Sequence, residues 1–186
     1  MPKRPSLRRS AIAAAAVCTG LSVLAPAADA EVAARSTSGF LLKASALVSG
    51  TPQAAYERAV GAIDRWWDPA HTYSGRSANL SLEPRAGGCF CERLDGGGSV
   101  QHLTVGFLQP GRTVRLLGGL GPLQSLAASG ALTWQFEPVA EQTRVTWTYR
   151  VTGLEPDGVA AMASAVDQVI SGQLVRLGRF IDTGQP

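Results

Sequence analysis

TRVTWTYRV, residues 143–151, alternates strictly between two kinds of side chain. Val145, Trp147, Tyr149 and Val151 fall on one side of an extended chain, and Thr146, Thr148 and Arg150 on the other. Successive side chains of a strand point to opposite faces, so this period of two reads as a half-buried strand with two large aromatic groups turned inward. The stretch before it repeats the pattern. In ALTWQFEPV, residues 131–139, Leu132, Trp134 and Phe136 share a face. In SVQHLTVGFL, residues 99–108, Leu103, Val105 and Phe107 do the same.

Glycine and proline punctuate the rest of this half of the chain into further short strands. ANLSLEP and GCFCERL precede the turn Asp95-Gly-Gly-Gly, and Pro110-Gly111 turns the chain into TVRLLG. GLGPLQSLAASG forms a longer connection, and Glu141-Gln142 closes the last hairpin. Upstream, GFLLKASALVSG reads as a first strand. Thr51-Pro52 then opens a helix, with Thr as N-cap and Pro at the first helical position. Ala55, Tyr56, Ala59, Val60 and Ile63 lie on one face of a helix over 52–66. It ends near Asp68-Pro69, because the residue before proline avoids the helical region. Pro156-Asp157 opens a final helix whose apolar stripe includes Val159, Met162, Val166, Val169, Ile170, Leu174, Leu177 and Ile181. The order is strand, helix, five or six antiparallel strands, long helix. Helices segregated to one face of an antiparallel sheet make an α+β layer design.

The opening of the chain has a different character. MPKRPSLRR is basic, AIAAAAVCTGLSVLA is apolar, and Ala28-Asp29-Ala30 is a small-x-small cleavage site. That order predicts a secretory signal peptide over 1–30, a short tether over 31–38 and one domain over 39–183. The apolar run is short for a membrane span, so no transmembrane segment is expected once the signal is removed. The expected location is outside the cytoplasm, in a periplasm or the medium, after cleavage following Ala30. The leader also carries the charge. Of 17 basic and 14 acidic side chains, Lys3, Arg4, Arg8, Arg9 and Asp29 leave with it, and the remainder balance. The overall pI near 9.0 therefore gives no basic surface to the mature chain, and a nucleic-acid partner is not expected.

Three constellations bear on chemistry. WWDPAHTYSG, residues 66–75, packs two tryptophans, a histidine and a tyrosine together; with no carboxylate but Asp68 near His71, it reads as a rim rather than a catalytic cluster. Cys89-x-Cys91 with His102 depends on the hairpin around Gly96–Gly98. If Leu94 pairs with Ser99, Cys91 faces His102, and two thiols and an imidazole suggest a metal. If Asp95 pairs with Ser99, Glu92 faces His102 and suggests acid–base chemistry. One residue of register decides between them. No metal is expected, since C-x-C plus one histidine is an incomplete ligand set. The two cysteines, neighbours at i and i+2, are expected as free thiols or a labile bridge. GLGPLQ and DGGGS lack the spacing of a phosphate loop and are read as turns. No catalytic residue and no cofactor are assigned.

The β-α-β-run-α order resembles the SRPBCC (START-like, helix-grip) superfamily. So do Thr51-Pro52 at the first helix, Gly87-Gly88-x-Phe90-x-Glu92 on a strand, Gly130-Ala131-Leu132-Thr133-Trp134, and the C-terminal amphipathic helix. The likeness covers roughly 39–183 and is closest to the bacterial polyketide-cyclase-like and chaperone-activator-like branch. It implies a curved antiparallel sheet wrapped around a long C-terminal helix, with a cavity between them for a small hydrophobic ligand. The residues expected to line that cavity are Trp66, Phe107, Trp134, Trp147, Tyr149, Val166, Ile170 and Leu174. The alternatives are a filled core in the same place, or a cyclase in which His71, Tyr73, Glu92 or His102 moves protons.

Overall fold

A computed structural model describes Met1, residues 29–154 and residues 159–186. The expected leader, apart from Met1, Asp29 and Ala30, lies outside these, as does the expected helix start at Pro156-Asp157. Eight strands form one antiparallel sheet: β1 (Asp29–Ser36), β2 (Gly39–Ser49), β3 (Leu80–Leu82), β4 (Cys89–Arg93), β5 (Ser99–Gln109), β6 (Thr113–Leu117), β7 (Ser129–Val139) and β8 (Gln142–Thr152). Their spatial order is β1-β2-β8-β7-β6-β5-β4-β3, so the strand before the first helix lies beside the last strand. Helices α1 (Pro52–Gly61) and α2 (Ile63–Trp66) follow β2, and α3 (Ala163–Thr183) closes the chain. The fold is α+β, a curved antiparallel sheet gripping a long C-terminal helix. Among the described residues no helix is long and apolar enough to cross a membrane.

The local reasons are those of the sequence. Thr51 caps α1 by accepting from the Ala54 N–H at 3.3 Å, with Pro52 following it at the first helical position. The expected single helix over 52–66 is broken at Ala62, whose φ of −139° leaves the helical region. That break turns both Trp66 and Trp67 into the protein. The α3 side chains then hold this segment: Arg176 Nε donates to the Trp66 carbonyl at 2.9 Å, and Gln173 Oε1 accepts from the Asp68 N–H at 2.9 Å.

Two expectations change. Residues 31–38, read as a tether, lie mostly in β1, which pairs with β2 from Asp29↔Ser45 to Ser36↔Gly39. A single polar-looking strand at a sheet edge carries little pattern of its own, and the pairing with β2 supplies what the local sequence lacks. Phe107 is the second. A bulge between Val105 and Phe107 shifts β5 against β6. An extra residue reverses the alternation beyond it, so Leu103 and Val105 are buried while Phe107 is 43% exposed. Phe107 therefore lies on the outer face, under the Arg115 guanidinium at 5.7 Å, and not on a cavity wall.

Candidate functional site

The inward aromatic residues pack on one another. Trp134 and Trp147 pair directly across β7 and β8, and their rings stack with centroids 4.8 Å apart and planes 10° apart. Trp66 from α2 meets them at 6.0 Å and 5.9 Å and donates its indole N–H to the Ala59 carbonyl at 3.0 Å. All three are fully buried, as is Leu174. The centre between sheet and helices is thus filled by three indoles, each a large apolar body.

Tyr149 is also fully buried, and its hydroxyl is used up. It donates to the Gly118 carbonyl at 3.0 Å and accepts from the Leu120 N–H at 2.9 Å. Burial pushes its pKa up to about 12, against a smaller opposing pull from the Leu120 N–H. The tyrosine therefore pins the connection between β6 and β7 and leaves no polar handle for a ligand.

The open space lies to one side of this core. A cleft of about 330 Å³ runs between the segment after α2, the tip of the β6–β7 connection and the first turns of α3. Trp67, His71, Thr72 and Tyr73 form one side, Leu120, Gly121 and Pro122 another, and Met162, Val166, Val169 and Ile170 a third, with His102 of β5 also on the wall. Of the eight residues expected to line a cavity, Val166 and Ile170 do so. WWDPAHTYSG does form the rim, through Trp67, Ala70, His71, Thr72 and Tyr73. Its geometry is local. Asp68 caps a short 3₁₀ turn (Pro69–His71) by accepting from the Ala70 N–H at 2.9 Å, and the Trp67 indole donates to the His71 carbonyl at 3.1 Å.

His102 enters through a β-bulge. The hairpin pairs Arg93 with Ser99, Glu92 with Val100 and Cys91 with Gln101, then shifts so that Phe90 faces Leu103. Next to the turn neither anticipated register is present; beyond the bulge Phe90↔Leu103 and Cys89↔Thr104 follow the first of them, and the extra residue, left unpaired, is His102 itself. It and Leu103, neighbours in sequence, are both buried, the bulge turning the unpaired His102 inward. Glu92, also inward, reaches it: His102 Nε2 lies 2.9 Å from Glu92 Oε2. Glu92 is 1% and His102 4% exposed. The same carboxylate accepts from the Tyr73 N–H at 3.0 Å and from the Ser74 N–H. The rim is thereby tied to the sheet through the dyad.

The electrostatics assign the protons. Burial pushes the Glu92 carboxyl up, but the contacts from Ser74, Tyr73 and His102 outweigh it and hold it below the ordinary range. Burial pushes the His102 imidazole down, and the neighbouring Glu92, which pulls it up, does not restore it. The result is a neutral imidazole against an ionised carboxylate. Backbone N–H groups can only donate and an ionised carboxylate can only accept, so Nε2 carries the hydrogen and Nδ1 keeps a free lone pair. Nδ1 is buried with no partner. The Phe90 and Tyr73 rings stand 5.0 Å and 5.9 Å from the imidazole.

Cys89 and Cys91 are joined in a disulfide with their Cα atoms 5.3 Å apart, which removes both thiolates as metal ligands. Among the described residues no three His, Cys, Asp or Glu side chains gather as a metal site would require.

No protein-family model matches the chain, and no curated protein matches it significantly. Solved structures do. The Aha1 dimer from Colwellia psychrerythraea aligns with a TM-score of 0.57 at 18% identity, covering 78% of this chain and 98% of that one. CalU16 from Micromonospora echinospora aligns at 0.56 and 15% identity, covering 89% and 79%. The conserved protein EF2215 from Enterococcus faecalis aligns at 0.55 and 12%, covering 81% and 76%. At such identities what is shared is the fold, and the chain has the helix-grip architecture of these proteins.

Proposed function

We propose that this chain is an exported SRPBCC-type protein that binds a small lipophilic molecule in the cleft between the Trp67–Tyr73 rim and α3, without turning it over. One observation carries the reading. The cleft is walled mainly by apolar side chains and contains one buried polar side chain, His102, with an unpartnered ring nitrogen. Ligand sites are apolar concavities with a few placed polar groups. Its volume of about 330 Å³ is at the small end of such sites, so the ligand is a compact ring system rather than a full lipid. Export rests on the order of basic, apolar and small-x-small segments in 1–30, and a disulfide suits an oxidising compartment. Cleavage after Ala30 leaves the β1 pairing intact from Glu31↔Lys43 onward. The test is native mass spectrometry of protein recovered from its own host. A co-purifying apolar molecule is expected, absent from a Val166→Trp variant whose indole fills the cleft. Protein of bare polypeptide mass, together with no thermal stabilisation by small neutral arenes, would count against the reading.

A second reading, a polyketide-cyclase-like enzyme in the same cleft, is favoured by the Glu92–His102 dyad. A neutral histidine oriented by a carboxylate is suited to general-base work. Turnover of a polyketide-like substrate, abolished by His102→Phe, would select it over the carrier.

A further inference from the structure

The dyad does more than mark the cleft; it sets what chemistry the cleft accepts. This step rests on the cleft being the binding site. Glu92 is already engaged: two backbone N–H groups and His102 Nε2 donate to its oxygens. Each of these is a donor, so the carboxylate stays an acceptor and the imidazole presents Nε2–H to it. What the ring can offer to an occupant is therefore the Nδ1 lone pair, an acceptor and nothing else. That atom is buried without a partner in a side chain that lines the cleft. A buried polar atom left unsatisfied carries a free-energy penalty, and an occupant with a donor removes it.

An anion would meet the opposite situation. Its oxygen lone pairs would face the Nδ1 lone pair, with the Glu92 charge directly behind the ring. Among the described residues no lysine or arginine lines the cleft to offset this. A hydrocarbon would fill the space but leave Nδ1 unpaired. A hydroxyl would satisfy the site once a shift of the ring uncovers Nδ1, its O–H donating there while the ring it belongs to would rest on Trp67, Val166, Val169 and Ile170.

We propose that the cleft selects small neutral hydroxyl-bearing ring compounds, phenols or cyclic alcohols, whose O–H donates to His102 Nδ1, and that it excludes carboxylates of the same shape.

Three probes of one shape test this: 2-naphthol, naphthalene and 2-naphthoate, titrated into the mature protein at pH 7.5 and followed by calorimetry. 2-Naphthol is expected to bind about tenfold more tightly than naphthalene, the scale of one buried hydrogen bond, and naphthoate more weakly than either. In His102→Phe the hydroxyl preference should vanish, with a cooperative thermal melt showing that the variant is folded. If His102→Phe fails to fold, the ranking of the three probes on the unmodified protein decides alone. Naphthoate binding as tightly as naphthol, or a hydroxyl preference surviving His102→Phe, overturns the selectivity while leaving the cleft as a binding site. Failure of all three probes to bind overturns the cleft itself, and the selectivity with it.

Discussion

Truncating Trp147 to alanine distinguishes a filled core from a ligand cavity. A tryptophan side chain buries roughly 150–250 Å², and at about 25 cal/mol per Å² this amounts to about 4–6 kcal/mol as an upper estimate. Trp147 is fully buried, stacked on Trp134 and touched by Trp66, so little of the space can collapse on truncation. Core tryptophan-to-alanine changes cost about 3–5 kcal/mol. One effect works the other way. The Trp147 indole nitrogen is buried without a partner, and deleting an unsatisfied donor relieves part of the cost. The expected loss is therefore about 3 kcal/mol, the lower end of that range. Urea unfolding followed by far-UV circular dichroism gives the loss as a fall in midpoint at constant slope. Naphthalene affinity of the folded variant should stay close to that of the parent, because Trp147 is not on the cleft wall. A loss under about 1 kcal/mol accompanied by lost binding would refute this reasoning and make the indole a ligand contact.

Four further outcomes follow from particular contacts. Tyr149→Phe strands the part-buried Leu120 N–H and Gly118 carbonyl and should cost about 1 kcal/mol, with faster hydrogen exchange at Leu120 as its local signature. Phe107→Ser, on the outer face, should change stability by no more than about 0.5 kcal/mol and leave cleft affinity unaltered; a marked loss of binding would put Phe107 back on the wall. Acid should destabilise the protein in two stages. His102 is held below its ordinary value of 6.5, so the unfolded chain takes up the proton first and stability falls with pH below about 6.5. Glu92, held below its ordinary 4.5, adds a further loss once pH falls below that value. Melting curves from pH 7.5 to 5 should show the first stage in the parent and a flatter dependence in His102→Phe; equal slopes would mean that the imidazole is not held neutral. N-terminal sequencing of exported protein should begin at Glu31, and an intact Met1 outside the cytoplasm would remove the signal-peptide reading.

The architecture could be read from the chain because its signals are local and periodic. The alternation in 143–151 and 131–139 put Val145, Trp147, Tyr149, Val151, Leu132, Trp134 and Phe136 on buried faces, where they are. Thr51-Pro52 capped the first helix as expected, and the stripe of Val166, Ile170, Leu174, Leu177 and Ile181 placed α3 against the sheet. Periodicity reports which side faces inward. It does not report what waits there, and so the same pattern that fixed the inward face of Trp134 and Trp147 could not tell a stacked core pair from a cavity wall.

Tertiary structure decided the site through irregularities that no local pattern announces. A bulge shifts one strand by one residue, and one residue reverses every side chain beyond it. The bulge at His102 brought it inward beside Leu103 and within reach of Glu92, while the bulge before Phe107 turned that ring out to solvent. Both are settled by pairing energies summed along neighbouring strands, with β4 on one side and β6 on the other. Residues 31–38 show the same dependence, since β1 exists through its partner β2. Side-chain pattern belongs to a segment and is legible within it. Register belongs to two segments at once, and here the candidate site is a consequence of register.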